Sequence, residues 1–324
     1  MLSRFFILYQ RRVGKSMDRA AGRARTGDRE GRPCKRELTM NLTDYNEIRA
    51  LLSRHGFRFS KSLGQNFLTA AWVPERIAEE AGLDAQTGVL EVGPGVGCLT
   101  EQLSLRAGKV LAVELDKALK PVLAETLAGR DNVEILFGDV LKQDLPALVR
   151  EKLPGLRPVI CANLPYNVTT PLLTAFLEAG CFETVTVMIQ REVAKRICAP
   201  AGTPDYGAFG LFVQWHCRTE LLFDVPHSCF VPQPKVTSSV IRLTRREEKP
   251  FAVRDEELLF RVIRAAFNQR RKTLVNALSA GIGGLSKETA EQILTDCGFD
   301  ARIRGEALDL AGFVRIADEI NSLF

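Results

Sequence analysis

The sequence predicts an α/β fold: a mostly parallel sheet covered by helices on both faces, followed by a small all-helical C-terminal domain. Three observations carry this. Short, near-continuous apolar runs alternate with helix-length segments between residues 88 and 189, the rhythm of βαβ units in a doubly covered sheet. The rhythm then changes to two longer strand-like runs around a Pro-rich loop, which predicts an antiparallel hairpin at one sheet edge. From about Phe251 the apolar positions fall at helical spacing. A chain of 324 residues holds one large domain and a smaller one, divided here into 40–248 and 249–324.

Residues 1–39 come first in chain order. They hold eleven Lys and Arg against four acids, whereas the remaining chain has 33 basic and 35 acidic residues, so the net charge of +5 says nothing about partners of the folded body. The segment lacks apolar periodicity and is expected to stay disordered. It reads as a basic RNA-binding arm, as an organelle transit peptide, or as sequence upstream of a start at Met40. The last is preferred because Met40 directly precedes a well-patterned helix, capped by Thr43 or Asp44 and carrying Ile48, Leu51 and Leu52 on one stripe. A polar segment, 60–68, leads to a second helix from Val73 to Ala81. Strands are expected at 88–92, 110–114, 133–137, 158–162 and 184–189, with helices at 99–105, 118–127 and 171–179 between them. Residues 209–223 and 238–243 are the expected edge strands, joined by the loop 225–234.

Composition excludes some functions. No apolar run reaches the roughly 18 to 20 residues of a membrane span. The eight cysteines form no C-x-x-C pair and only three His are present, so no metal site is expected. The cysteines read as reduced thiols of a cytoplasmic protein.

Two motifs carry the chemistry. Glu91-Val92-Gly93-Pro94-Gly95-Val96-Gly97 ends the first strand and leads into a helix near Leu99. Glycines there let the backbone turn tightly and pass close to a ligand. The second strand ends in Glu114, 21 positions after Gly93, where an acid can accept hydrogen bonds from two ribose hydroxyls; the third ends in Gly138-Asp139, where a carboxylate suits the exocyclic amine of adenine. Each acid alone reads as a solvated strand end. Three such features at successive strand ends are the pattern of a nucleoside site.

Asn163-Leu164-Pro165-Tyr166 follows the fourth strand. An adenine amino group is a poor nucleophile because its lone pair is delocalised into the ring. Two acceptors, the Asn163 side-chain oxygen and the Leu164 carbonyl, can hold its two hydrogens and favour tetrahedral nitrogen. Pro165 fixes where that carbonyl points, Tyr166 can stack on the base, and Thr170-Pro171 reads as the next helix start. The motif alone is ordinary turn chemistry; behind the glycine loop it points to methyl transfer onto an adenine amine. Phe230, on the stiff loop 229–236, can form a second wall of a base pocket. Lys235, the trio Arg191, Lys195 and Arg196, and the group Arg261, Arg264, Arg270, Arg271 and Lys272 fit a phosphate-tracking surface on a body that is slightly acidic overall.

These residues resemble the ribosomal RNA adenine dimethyltransferases, specifically the small-subunit type that methylates two adjacent adenosines near the 16S 3′ end. The matching pieces are 62–68, the glycine loop, Glu114, Gly138-Asp139, 163–166, 230–234 and 267–272, within a resemblance over about 42–320. It implies a Rossmann-like class I methyltransferase sheet with a reversed edge strand, S-adenosylmethionine as donor, and 16S rRNA in the small ribosomal subunit as partner of a monomer. By motif match, Gln65, Asn66 and Leu68 cover the methionine end of the cofactor, and Gly93 and Gly95 approach it by backbone. Glu114 takes the ribose and Asp139 the adenine. Asn163 bridges cofactor and target amine, and Tyr166 and Phe230 sandwich the target base. A sister enzyme acting on one large-subunit adenosine shares the loop and clamp, and Thr169-Thr170-Pro171 with the long helical tail favours the small-subunit type. A non-catalytic role in ribosome assembly or transcription, and a nicotinamide dehydrogenase, are the readings of other classes.

Overall fold

The computed structural model describes residues 40–58 and 64–323. Residues 1–39 lie outside them, with every reading given to that arm, and so do Ser60, Lys61, Ser62 and Leu63 of the polar segment. In chain order the elements are α1 (Tyr45–Arg54), β1 (Phe67–Leu68), α2 (Trp72–Glu80), β2 (Thr87–Val92), α3 (Cys98–Ser104), β3 (Lys109–Glu114), α4 (Lys120–Thr126), β4 (Val133–Phe137), α5 (Leu145–Lys152), β5 (Arg157–Asn163) and α6 (Thr169–Ala179). There follow β6 (Thr184–Gln190), α7 (Arg191–Cys198), α8 (Ala208–His216), β7 (Cys217–Val225), β8 (Phe230–Val231), β9 (Ser238–Arg245), α9 (Glu256–Asn268), α10 (Leu274–Gly281), α11 (Lys287–Asp296) and α12 (Leu310–Asn321).

Seven strands form one sheet in the order β4-β3-β2-β5-β6-β9-β7. The first five are mutually parallel, and the order reverses between β2 and β5. The expected edge hairpin is present: β9 runs antiparallel to both β6 and β7, so the reversed strand sits one place in and β7 is outermost. Central strands are largely apolar because helices cover both faces. Leu90, Leu111, Ile160 and Val187 are fully buried, and each such side chain contributes about 2 kcal/mol on leaving water.

Two local expectations are corrected. Residues 209–216 are helix α8, not the first half of a strand. Their apolar content reflects burial: Leu211, Phe212, Val213 and Trp215 all face the core, and an all-round apolar helix has no amphipathic period to betray it. Helix α6 begins at Thr169, two residues before the expected first helical residue Pro171, with the Thr169 hydroxyl donating to the Pro165 carbonyl at 3.1 Å. The Asp44 cap is as expected, its carboxylate accepting from the Asn46 and Glu47 amides.

After β9 the chain is helical. Helix α9 packs on α10 and α12, α11 joins α10 and α12, and α8 packs on both α7 and α9. Residues 42–324 cluster as one compact unit, whose hydrophobic core runs from Leu90 and Leu111 of the sheet through Trp215 to Phe313 and Ile320 of the last helix.

Candidate functional site at the strand ends

Where the strand order reverses, the carboxyl ends of the parallel strands open on a cavity of about 340 Å³, the position at which ligands of open α/β sheets bind. The glycine loop builds one wall. The Gly93 amide donates to the Val113 carbonyl at 3.0 Å, extending the β2–β3 pairing by one residue before the chain turns. Gly93, Gly95 and Gly97 have φ of +70°, +61° and +92°, which side chains with a Cβ rarely adopt. A Cβ at Gly93 would meet nothing within 4 Å, so this backbone faces open space; one at Gly95 would lie 3.1 Å from the Phe67 ring.

Glu114 ends β3 and is 5% exposed. Its Oε1 accepts from the Asp116 amide at 2.7 Å. Burial raises its carboxyl above the ordinary value, against amide hydrogen bonds from Asp116 and Gly95 that lower it. Asp139 follows β4; its Oδ1 accepts from the Leu141 amide at 3.0 Å, so one oxygen caps the turn at Val140–Lys142. Asn163 ends β5 opposite Met188. The Leu164 amide donates to the Met188 carbonyl at 3.1 Å and its side chain is buried. The Leu164 backbone is therefore held from both sides. The Pro165 carbonyl accepts from the Val168 amide and the Thr169 hydroxyl. The Tyr166 and Ser238 hydroxyls are hydrogen-bonded at 2.6 Å, which ties the clamp to β9, and burial raises the phenol's pKa.

Residues 64–68 close the cavity from above. At one end the Gln65 Nε2 donates to Asp116 Oδ2 at 2.8 Å. At the other, Gly64 lies against the Asn167 side chain. The segment is held by a two-residue antiparallel pairing, Phe67 with Val231 and Leu68 with Phe230, and by the Thr69 amide donating to the Cys229 carbonyl at 2.8 Å.

Gln65, Asn66, Leu68, Gly93, Gly95, Glu114, Asp139, Asn163, Leu164, Pro165 and Tyr166 thus all line one cavity. Phe230 does not: its ring is 2% exposed, anchoring the strand pair beside it. The cations fall in two groups. Arg191, Lys195 and Arg196 lie on α7, beside the clamp, since the Arg191 amide donates to the Thr237 carbonyl at 3.0 Å, next to Ser238. Arg191 also pairs with Asp224 at 3.3 Å and Arg196 with Glu192. Lys235 is exposed on the same loop as Thr237. The second group sits on α9 and just beyond it. Arg264 is half-buried there, Arg271 and Lys272 are exposed, and Arg270 clasps the fold, donating to Glu306 and to the Pro204 carbonyl.

Sequence reasoning missed three features. Glu91, within the glycine motif, is 1% exposed and lines the cavity; burial pushes its carboxyl up to about 8, and Oε2 has no hydrogen-bond partner among the described residues. Asp116 anchors the cover through Gln65. Leu115 and Leu141, 54% and 42% exposed, flank the cavity one residue after Glu114 and two after Asp139. That pairing of a carboxylate with an exposed apolar neighbour was a usable signal. Among the described residues no cluster of His, Cys, Asp and Glu is placed to hold a metal ion, and no helix is long and apolar enough to cross a membrane.

Comparison with known proteins follows the same lines. The profile of the family described as ribosomal RNA adenine dimethylase matches residues 56–315. The ribosomal RNA small subunit methyltransferase A of Geobacillus thermodenitrificans is 47% identical over 278 residues, spanning 85% of this chain and 95% of that protein. Its namesake from Streptococcus gordonii is 43% identical over 287 residues, spanning 87% and 99%. Among solved structures, the 23S rRNA methyltransferase ErmE superposes with a TM-score of 0.62 at 27% identity, covering 79% of this chain and 99% of that one. A dimethyladenosine transferase from Plasmodium falciparum shares the fold at a TM-score of 0.67 and 24% identity, covering 79% and 97%. Sheet order and strand-end cavity define a Rossmann-like class I methyltransferase. Within that class, the chain belongs to the ribosomal RNA adenine dimethylase family.

Proposed function

We propose that this chain dimethylates the N6 amino groups of two adjacent adenosines near the 3′ end of 16S rRNA in the small ribosomal subunit, with S-adenosylmethionine as donor. The observation that carries the reading is one cavity shared by the amine clamp, the glycine turn and two strand-end carboxylates. Identity of 41–47% to small-subunit relatives against 27% to the large-subunit enzyme supports the choice of subunit.

The residues present suit the cofactor. Glu91 offers a buried carboxyl oxygen without a partner, a place for a cationic amine or another donor. Gly93 leaves room for close backbone approach. Glu114, already oriented by backbone amides, suits two ribose hydroxyls. Asp139 has one oxygen in its turn cap and the other 4.0 Å from the exposed Lys142 ammonium, and that second oxygen can also accept an exocyclic amine between the apolar Leu115 and Leu141. Bound S-adenosylmethionine supplies a methyl activated by a positive sulfonium. The chain's own part is positioning. The Asn163 oxygen and the Leu164 carbonyl accept the target amine's hydrogens, and Tyr166 offers its ring to the base. Gln65, Asn66 and Leu68 cover the cofactor and exclude water. No strong general base is needed, because the nitrogen sheds its proton after the methyl has moved.

On this reading residues 40–248 are the catalytic domain and 249–324 a helical domain. The cations of α7, Lys235 and the α9 group follow the RNA phosphates, and the enzyme works as a cytoplasmic monomer. Phe230 reaches a flipped base only if the strand pair around it shifts when RNA binds. Methyl transfer from labelled S-adenosylmethionine to unmethylated small subunits, with large subunits in parallel and nucleoside analysis, tests the proposal. Dimethyladenosine in the small subunit alone is expected. Label in the large subunit, or none in either, overturns it.

A further inference from the structure

A second cavity, of about 270 Å³, opens at the opposite end of the sheet. Asn163 pairs with Met188 near the end of β6, whereas this cavity lies at the start of β6, at Val185, and at the end of β9, where Leu243 and Arg245 line it. The seven residues of β6 put about 20 Å between the two ends. The cavity is bounded by the last turn of α6, the β9–α9 connection and His216 of α8.

Its lining has three chemically distinct parts. The floor is apolar: Phe176, Phe182, Val185 and Leu243, all buried. The rim carries Arg245, Arg246 and Lys249 against one carboxylate, Glu247. Lys249 is partly spoken for, 3.2 Å from Glu256. Arg245 and Arg246 have no carboxylate within ion-pairing distance among the described residues, whereas Arg242 on the same strand pairs with Glu220 at 2.9 Å. Arg246 spends only its Nε on the Gln214 carbonyl, at 3.1 Å. The third part is the end of α6 at Gly180, whose last-turn carbonyls lack helical partners and are acceptors. His216 adds a donor: burial and Lys249 hold its ring neutral, with a pKa near 4, and Nδ1 faces the Lys249 ammonium at 3.4 Å, which leaves the proton on Nε2.

We infer that this cavity binds a nucleotide unit, its phosphate forked by Arg245 and Arg246, its base held inside the cavity over the apolar floor, and a base amino group directed to the carbonyls ending α6. Guanidinium forks match phosphate oxygens in shape as well as charge, and the cavity is of the scale of a single small ligand. The same unit has two sources: a free nucleoside monophosphate, or one nucleotide of an RNA strand that also reaches the catalytic end.

The protein carries its own reporter. It has two tryptophans, Trp72 and Trp215. Trp215 is buried beside this cavity, with the Lys249 ammonium 5.4 Å from its ring centroid. In a Trp72→Phe background, with S-adenosylhomocysteine saturating the first cavity, Trp215 fluorescence is titrated with adenosine 5′-monophosphate, a short single-stranded oligoadenylate and inorganic phosphate. A saturable change is expected, weakened roughly tenfold or more by Arg245→Gln with Arg246→Gln, the loss typical of charge-assisted hydrogen bonds. The double variant's unchanged S-adenosylhomocysteine affinity and melting temperature certify its fold. A response to the monophosphate identifies a free nucleotide as ligand, and a response to the oligonucleotide alone identifies the RNA strand. Inorganic phosphate binding as tightly as the monophosphate overturns the base subsite. No response to any probe, or equal responses in the double variant, overturns the site.

Discussion

On one side of the first cavity, Gly93, Glu114, Asp139 and Asn163 stand at the ends of adjacent parallel strands, each aimed by the sheet's hydrogen-bond ladder. On the other, residues 64–68 cross the opening on a two-residue β pairing, an amide from Thr69 and one side-chain bond from Gln65 to Asp116. The strand side has its geometry from the core and spends little of its side-chain chemistry on the fold. The cover has no such reserve. Phe67 and Leu68 are at once its structure and its working surface, with Phe230 anchoring them from β8, so substitutions in Phe67 or Leu68 cannot separate folding from function.

Five variants break or sharpen this contrast, in descending order of effect. Asn163→Ala should lower kcat by about 10²- to 10³-fold, the usual loss of an aimed acceptor or donor at a reacting group, with melting temperature nearly unchanged; retained methylation of small subunits would remove the amine clamp. Phe230→Ala should cost about 3–4 kcal/mol in urea unfolding, because the ring is buried. A loss below about 1 kcal/mol would mean that the ring is not an anchor of the cover.

Glu91→Gln tests a burden on the strand side. With the buried carboxyl raised from 4.5 to about 8, the folded state binds this proton more tightly than the unfolded chain. The stability it brings is complete below pH 4.5 and is lost as pH rises through 8. The variant should therefore gain stability relative to the parent, a few kcal/mol at most, at pH 8 and not at pH 4.5. Parallel melting curves across that window would refute the assignment. Last, Gly93→Ala and Gly95→Ala both force a positive φ, at about 1 kcal/mol each. Only the second drives a Cβ to 3.1 Å from Phe67. Gly95→Ala should melt lower, whereas Gly93→Ala should chiefly weaken cofactor binding by calorimetry.

The same contrast governs what could be read in advance. Strand ends followed from apolar runs and punctuation: β4 spans the expected 133–137, β2, β3 and β6 deviate by one residue at one end, and β5 by one residue at each end. Eleven of the twelve expected pocket residues meet in one cavity because each belongs to a β–α turn or to the short segment before α2. The pairing of β1 with β8 was invisible, since two-residue strands have no period and their partners are far apart in the chain. Helix α8 was hidden by being buried all round. The Arg270 clasp was hidden too, because a solvated arginine and one bound to a carbonyl look alike in a sequence.

The pairing of Phe67 with Val231 joins positions 164 residues apart. Such a contact closes a long loop, so it pays its entropy late, after the parallel strands have docked. During synthesis the open face of the cavity must wait for residue 231, when the glycine turn, both strand-end acids and the clamp have already left the ribosome. A nascent chain thus presents the glycine turn, both strand-end acids and the clamp before the strand that holds their cover has been made.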